Sequence, residues 1–182
     1  NTYTIRYNAN GGSGSMSDTG ATYGSSVTLR ANSFSRSGYS FAGWATSASG
    51  GKVYNNQQSV SNLTTTNGGV VTLYAVWTLN APSAASINMN YTTRSKIQVS
   101  VSGTGAAITN YTVYYRANST GSYSSYSLGT GTSGVITGLS PNTTYQMYVR
   151  VTNGAGSKDS SAITPKTIAY IPSSLSVSTS NT

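Results

Sequence analysis

Side chains that could carry out acid–base or nucleophilic chemistry are scarce in this sequence. The 182 residues include two acidic side chains, Asp18 and Asp159, and no Glu, His or Cys. General acid–base catalysis draws mainly on His, Glu, Asp, Lys or Tyr, and zinc sites use Cys, His or carboxylates. Because the two Asp lie in different halves of the chain, a pair of carboxylates within one domain is excluded. We therefore predict no enzyme activity, no catalytic residues, no metal site and no cofactor.

The formal net charge of +8 suggests an anionic partner. The ten Lys and Arg, however, are spread singly between Arg6 and Lys166 and form no run. We attribute the charge to a lack of acids and predict no nucleic-acid binding. Weak attraction to glycans or to extracellular host or cell-wall polymers stays open.

The composition favours a mainly β protein. Charged residues make up 7% of the chain, against about 25% in average globular proteins. Short runs of Tyr, Val, Thr and Ile alternate with Gly, Asn and Ser clusters, a pattern typical of strands and turns. No apolar run reaches the length of a transmembrane helix, so we predict no membrane insertion. The missing start Met and leader peptide lead us to expect a piece of a longer protein, monomeric as a fragment.

The first half opens with a half-buried strand. Tyr3, Ile5 and Tyr7 alternate with polar residues, and Asn10-Gly11 supplies the positive φ angles of a tight hairpin turn. A last strand is predicted over residues 70–77. Between them lies Gly38-Tyr39-Ser40-Phe41-Ala42-Gly43-Trp44, with three aromatic residues in seven.

These aromatic residues have two interpretations. Tyr39, Phe41, Trp44 and Trp77 can form the core of a small domain that has little else to bury. They can also form an exposed aromatic platform for a sugar. We adopt the core, since contiguous exposed aromatic residues are rare in monomeric proteins.

The first half resembles the Listeria–Bacteroides repeat, the internalin B-type repeat of bacterial surface proteins. The matching pieces are Tyr3-x-Ile5-x-Tyr7-x-x-Asn10-Gly11-Gly12, Tyr23-Gly24 with Leu29, Arg36-x-Gly38-Tyr39-x-Phe41-x-Gly43-Trp44 with Gly50-Gly51, and Leu73-Tyr74-Ala75-x-Trp77. The resemblance implies a compact β-grasp-like sheet that serves as a repeated surface module.

The second half follows a seam at residues 80–86, where Pro82 ends strand pairing. Strand patterns recur at close intervals, as in a β-sandwich. The alternating positions are Ile97 to Val101, Tyr111 to Tyr115, Tyr123 to Leu128, Val135 to Leu139 and Tyr145 to Val151.

This half resembles the fibronectin type III domain. The match rests on Leu139-x-Pro141-x-Thr143-x-Tyr145-x-Met147-x-Val149-x-Val151-x-Asn153, followed by Gly154-x-Gly156. The resemblance implies a seven-stranded β-sandwich and makes Tyr145 the tyrosine corner, whose hydroxyl bonds to the backbone a few residues upstream. The usual tryptophan of the second strand is replaced by a valine, so we expect Tyr111 or Tyr115 to fill the core.

One outward patch is predicted on this sandwich. If the strands around residues 113 and 149 are neighbours, Tyr114, Arg116, Tyr148 and Arg150 project together from the sheet. The patch is either a stabilising ladder of tyrosines and arginines or a shallow site for a sugar or anionic polymer. Lys158-Asp159 is assigned to a loop, which argues against a self-formed isopeptide bond there.

We therefore predict a mainly β chain with a repeat domain at residues 1–79, a fibronectin type III domain at 80–169 and a linker or next module at 170–182. The expected function is a non-catalytic spacer or display segment in adhesion by a bacterial cell-surface or secreted protein. The expected location is extracellular or associated with the cell wall. The alternative is a glycan- or host-protein-binding module that uses the Tyr114, Arg116, Tyr148 and Arg150 patch.

Overall fold

The computed structural model describes residues 1–170, so the linker or next module predicted for 170–182 lies outside it except for Tyr170. The chain divides into two compact units, with the boundary between Asn80 and Ala81. Each unit is built of strands and loops, and residues 1–170 contain no helix. Accordingly, this part of the chain offers no helix that could cross a membrane.

The first unit contains one mixed sheet and one small strand pair. Its strands are β1 (Thr2–Asn8), β2 (Thr19–Thr22), β3 (Val27–Thr28), β4 (Tyr39–Ala45), β5 (Ser59–Val60) and β6 (Gly69–Leu79). The sheet has the order β2-β1-β6-β4, and β3 pairs with β5. The central strands β1 and β6 run parallel, whereas β2 and β4 pair antiparallel at the edges. The sheet is β-grasp-like, but no helix covers it.

The predicted alternation in β1 is confirmed, because Tyr3, Ile5 and Tyr7 are all buried. The predicted hairpin is wrong. Asn10 and Gly11 do have positive φ, and the Gly12 N–H donates to the carbonyl of Ala9 at 2.9 Å. The tight turn is therefore present, but the chain runs on to Thr19 before it pairs with β1. Residues 13–18 contain only one apolar side chain, Met16. Because this segment has no alternating apolar residues, no strand begins directly after the turn.

An aromatic cluster forms the centre of this unit. Trp44 is fully buried, and the rings of Phe41, Tyr7 and Phe34 lie 4.9, 5.0 and 6.2 Å from it between centroids. Trp77 is partly buried and packs edge-on against Phe41 at 5.7 Å. These contacts show that most of the aromatic residues in the Gly38–Trp44 stretch belong to the core.

Tyr39 differs from the expectation. It lies outside the buried cluster and is half-buried, with the guanidinium carbon of Arg36 4.0 Å from its ring centroid. A β-bulge between Phe41 and Gly43 shifts the register of β4 against β6. The bulge adds one residue to the strand, so the alternation on the two sides of it does not match. The bulge therefore places Trp44 on the same face of β4 as Tyr39 and Phe41. Tyr39 is only half-buried because it begins β4, opposite Leu79 at the end of β6.

The second unit is a two-sheet sandwich. Its strands are β7 (Ala84–Thr92), β8 (Ile97–Thr104), β9 (Asn110–Ala117), β10 (Ser124–Ser127), β11 (Ser133–Ile136), β12 (Tyr145–Asn153) and β13 (Gly156–Asp159). One sheet has the order β10-β9-β12-β13 and the other β11-β8-β7. The core between them contains Ile97, Val99, Val113, Met147 and Val149, all fully buried.

Three sequence expectations for this unit change. Strand β7 begins two residues after Pro82, so the seam is shorter than residues 80–86. Strand β11 ends at Ile136, because Gly138 takes a positive φ before Leu139. Asp159 lies in β13 and is not in a loop. The position expected for tryptophan is filled by Val99, with Tyr111 buried nearby and Tyr115 packed against the core.

Candidate functional site

The four predicted patch residues come together on the outer face of the four-stranded sheet. Strands β9 and β12 pair antiparallel, with Tyr114 opposite Tyr148 and Arg116 opposite Gln146. Arg150 lies opposite Thr112 in the same ladder. The alternation of β12, in which Tyr145, Met147 and their successors are buried, turns Gln146, Tyr148 and Arg150 outward.

The aromatic rings of this face contact one another and two guanidinium groups. Tyr114 and Tyr148 are stacked, with centroids 5.0 Å apart and an interplanar angle of 13°. Tyr123 meets Tyr148 edge-on at 5.1 Å. Arg150 lies 5.3 Å from the centroid of Tyr114, and Arg116 lies 4.5 Å from that of Tyr123. We call these five residues the tyrosine–arginine ladder.

Gln146 holds one end of the ladder. Its side-chain oxygen accepts hydrogen bonds from Arg116 Nε at 2.9 Å and Nη2 at 2.7 Å, and from the Tyr123 hydroxyl at 2.9 Å. Arg116 Nη1 also donates to the carbonyl of Gly121 at 3.2 Å. Most donors of this guanidinium are therefore used within the chain, which leaves few for an anionic ligand.

Asp159 holds the other end. Arg150 Nε and Nη2 donate to the two carboxylate oxygens at 2.7 and 2.8 Å, a bidentate pair across strands β12 and β13. The hydrogen bonds from Arg150 lower the pKa of Asp159, although desolvation opposes them. The same pair raises the pKa of Arg150. Both side chains are about 40% exposed, so solvent screens their attraction.

Burial beneath its neighbours raises the pKa of Tyr148, although the nearby positive charge of Arg150 opposes the rise. The phenol is therefore protonated at neutral pH and can donate a hydrogen bond but has no basic oxygen to offer. Together with the paired Arg116 and Arg150, it makes a polar surface on the sheet. Such a surface can hold a ligand through weak contacts, but it presents no nucleophile and no general base.

Three members of this arrangement were missing from the predicted patch. The predicted patch does not include Gln146, the strand pattern predicted from Tyr123 to Leu128 gives Tyr123 no part in it, and Asp159 is predicted in a loop. Register could have identified Asp159, since the tight turn after Asn153 places it opposite Arg150 in a two-stranded hairpin. The sequence has no comparable indication for Tyr123, which precedes β10 in a loop.

The residues assigned structural roles lie in the two cores or at their edges. Tyr145 is buried at the start of β12, and its hydroxyl accepts a hydrogen bond from the backbone N–H of Ser140 at 2.9 Å. This is the bond that the fibronectin resemblance implies. Trp77 extends from β6, and its indole N–H donates to the carbonyl of Ala9 at 2.9 Å.

Comparison with known proteins assigns both units. Residues 3–76 match the Listeria-Bacteroides repeat domain, and residues 80–167 match the fibronectin type III domain. Both domain types are typical of extracellular or surface proteins and are typically non-catalytic. No curated protein matches the chain.

Solved structures similar to this chain include fibronectin type III domains. The human collagen alpha-1(XX) domain is 19% identical, with a TM-score of 0.43, and the match covers 53% of this chain and 90% of that one. The third such domain of human KIAA0343 is 22% identical, with a TM-score of 0.39, and the match covers 53% and 87%. The assignment depends on the domain matches: the chain consists of a Listeria-Bacteroides repeat domain followed by a fibronectin type III domain.

Proposed function

We propose that this chain is a non-catalytic spacer and display segment of a bacterial cell-surface or secreted protein that acts in adhesion. The observation that carries this proposal is that the bulky side chains fill the two cores and the two arginines of the ladder are paired within the chain. Trp44 and its aromatic neighbours fill the first core, and Met147 and Val149 lie in the second. On the surface, Arg116 and Arg150 are already bonded to Gln146 and Asp159.

The two domain types support an extracellular setting. Their arrangement in one chain fits a modular protein in which folded units separate an active region from its attachment point. The activity in adhesion then belongs to another region, and this segment contributes length and folded stability.

A replacement experiment tests the display role. In the parent protein, residues 1–169 would be exchanged for two unrelated β modules of similar length, and in a second strain they would be deleted. We expect the exchange to retain adhesion and the deletion to reduce it. Loss of adhesion after the exchange, with normal surface levels of the protein, would contradict a spacer role.

A second candidate function is binding of a glycan or an extracellular polymer by the tyrosine–arginine ladder. The observation that favours it is that Tyr114, Tyr148, Arg116 and Arg150 form one continuous outer surface. The stacked rings and paired arginines argue for a stabilising role instead, since a ligand would compete with contacts already made. Retention of the intact chain on glycan and matrix-protein arrays, lost in Tyr148→Ala and Arg150→Ala, would support binding. Unchanged retention with reduced stability would exclude it.

A further inference from the structure

The first and last strands of the repeat unit are direct neighbours and run parallel. Strands β1 and β6 pair from Tyr3 opposite Gly69 to Asn8 opposite Tyr74. In a parallel pair, the beginning of one strand and the end of the other lie at opposite ends of the ladder. Tension between residue 1 and residue 80 therefore pulls the two strands past each other along their own axes. Such a shear loads all bonds of the ladder together, whereas peeling breaks them one after another.

We propose that the repeat unit is a force-bearing module in which the β1–β6 pair, with its flanking hydrogen bonds, is the clamp that resists tension. The inference goes beyond the display role, because a spacer needs no particular resistance to force. Either one can fail without the other, since adhesion after module exchange and unfolding under tension are separate measurements.

Hydrogen bonds extend the clamp at the end where β1 begins. The N–H of Thr2 donates to the side-chain oxygen of Asn67 at 3.0 Å. The N–H of Gly68 donates to the carbonyl of Thr2 at 2.8 Å. These two bonds join the residues just before the ladder, so sliding must break them along with the ladder itself.

Two side chains extend the clamp at the opposite end. The amide of Asn10 donates to the carbonyl of Ala75 at 2.9 Å, and the indole N–H of Trp77 donates to the carbonyl of Ala9 at 2.9 Å. Both bonds connect the segment that follows β1 to the second half of β6. The bonded zone therefore runs past both ends of the strand pairing.

Burial adds a second resistance to sliding. The side chains of Tyr3, Ile5 and Tyr7 are 3%, 0% and 6% exposed, and Leu73 and Ala75 of β6 are fully buried. Displacing β1 along its axis would move these side chains out of their packed positions. The strands are also interior, with β2 beyond β1 and β4 beyond β6. Neither loaded strand is therefore an edge that could peel away first.

Force measurements in two pulling geometries test the clamp. The full chain has no cysteine, so one introduced thiol gives a unique attachment point. A handle on the N-terminus would be combined with Thr78→Cys, near the end of β6, or with Thr65→Cys, before its start. Both threonines are exposed. The first pair of handles shears β1 against β6, and the second pulls both strands from the same end.

We expect the sheared unit to unfold at about twice the force of the peeled unit, or more, at equal loading rate, because forced unfolding follows the barrier along the pulled direction. The two variants should have equal free energies of unfolding in urea, since neither changes the fold. Equal unfolding forces in the two geometries would overturn the proposal.

A matched pair of substitutions assigns the resistance to the clamp. Trp77→Phe keeps a ring but removes the donor to Ala9, and we expect it to speed unfolding under shear by about two- to tenfold, the effect of one hydrogen bond. Val60→Ala removes buried methyl groups in β5, which pairs with β3 and with neither strand of the clamp. We expect it to speed unfolding less under shear than its loss of stability in urea would suggest.

If Trp77→Phe does not fold, Asn10→Gly replaces it, because glycine keeps the positive φ of residue 10. The substitution removes the amide that donates to the carbonyls of Ala75 and Ala48. The two variants are compared at equal loss of stability in urea. If Val60→Ala then lowers the unfolding force under shear as much as the clamp variant does, the effect is general destabilisation and the clamp is contradicted.

Discussion

The backbone of Gly43 lies against the carbonyl oxygen of Tyr54, so closely that a Cβ added at Gly43 would be 2.5 Å from that oxygen. Gly43 also has a φ of +147°, a backbone conformation that residues with a side chain rarely adopt, and it follows the bulge in β4. The adjacent Trp44 donates its backbone N–H to the same oxygen at 2.8 Å. Glycine at this position therefore lets the bulged strand approach the loop that covers the tryptophan.

We expect Gly43→Ala to destabilise the repeat unit by about 1–3 kcal/mol or more, the cost of a strained backbone to which a close contact is added. Both tryptophans of the chain, Trp44 and Trp77, lie in this unit. Tryptophan fluorescence in urea therefore follows its unfolding alone. Gly20→Ala is the control, because a Cβ there meets nothing within 4 Å. Equal midpoints for the two variants would contradict this account of Gly43.

The tyrosine corner gives a prediction for the sandwich unit. Tyr145→Phe removes the acceptor of the Ser140 N–H, and we expect a loss of about 1–3 kcal/mol because a partly buried donor is left without a partner. Tyr111→Phe is the matched control, since Tyr111 is also buried and its hydroxyl has no hydrogen bond within residues 1–170. Amide hydrogen exchange in β12 measures both losses. A loss in Tyr111→Phe as large as in Tyr145→Phe would argue against the corner.

Removal of the central tryptophan tests whether the two units fold independently. Trp44→Ala should cost about 3–5 kcal/mol, and a domain of this size has a total stability of about 4–12 kcal/mol. We expect the repeat unit to unfold at a much lower urea concentration, while amide protons in β8 and β12 of the sandwich keep their protection. Loss of protection in both units would show that the boundary near residue 80 does not separate independent domains.

The Arg150–Asp159 pair predicts how the free energy of unfolding of the sandwich changes with pH in the acid range. The pKa of Asp159 is lowered in the folded state, so its contribution is present above the unfolded pKa of about 3.9. It is lost as the pH falls through the lower folded value. We expect Asp159→Asn to reduce stability at pH 7 by about 0.2–1 kcal/mol, the range for an exposed pair, and to make the acid limb shallower. An unchanged acid limb in urea titrations between pH 2 and pH 6, roughly the titration range of carboxylates, would contradict this.

The raised pKa of Tyr148 predicts that the sandwich loses stability as the pH rises. Its pKa is raised in the folded state, so its contribution is fully present below the unfolded value of about 10. It is lost as the pH rises through the folded value, because ionisation favours the unfolded chain. Tyr148→Phe should remove this part of the alkaline loss, whereas Tyr126→Phe, on the edge strand β10, should leave it. Identical alkaline limbs for Tyr148→Phe and the unchanged chain would contradict the prediction.

Strand faces could be read from the sequence with good success. The alternation of Tyr3, Ile5 and Tyr7 and of Tyr145 to Val151 matches the burial seen in β1 and β12. A side-chain period of two is local, so a single strand reveals it. The bulge in β4 is a different case. One extra residue shifts the faces, and only the pairing with β6 shows where that residue lies. The bulge places Trp44 on the same face as Tyr39 and Phe41, which strict alternation does not predict. The half-burial of Tyr39 follows from its position at the start of β4, and alternation does not show that either.

The assignment of Asp159 to a loop had a similar cause. Gly154 and Gly156 indicate a turn, but the length of the turn sets the register of the following strand, and Ser-Lys-Asp has little strand propensity by itself. Pairing with β12 makes this segment a strand and brings Asp159 to Arg150. Tyr123 joins the ladder from a loop, where no periodicity applies.

By itself the sequence determined the class of fold, the two families of domain and the scarcity of groups that could do chemistry, since composition, alternation and motif spacing are local properties. Tertiary structure alone decided that β1 and β6 run parallel, that Trp77 bonds to Ala9, and that the tyrosines of β9 and β12 stack on each other. Strand direction, register and ring contacts depend on which distant segments become neighbours. That choice follows from the burial of each unit's own core and not from any one stretch of residues.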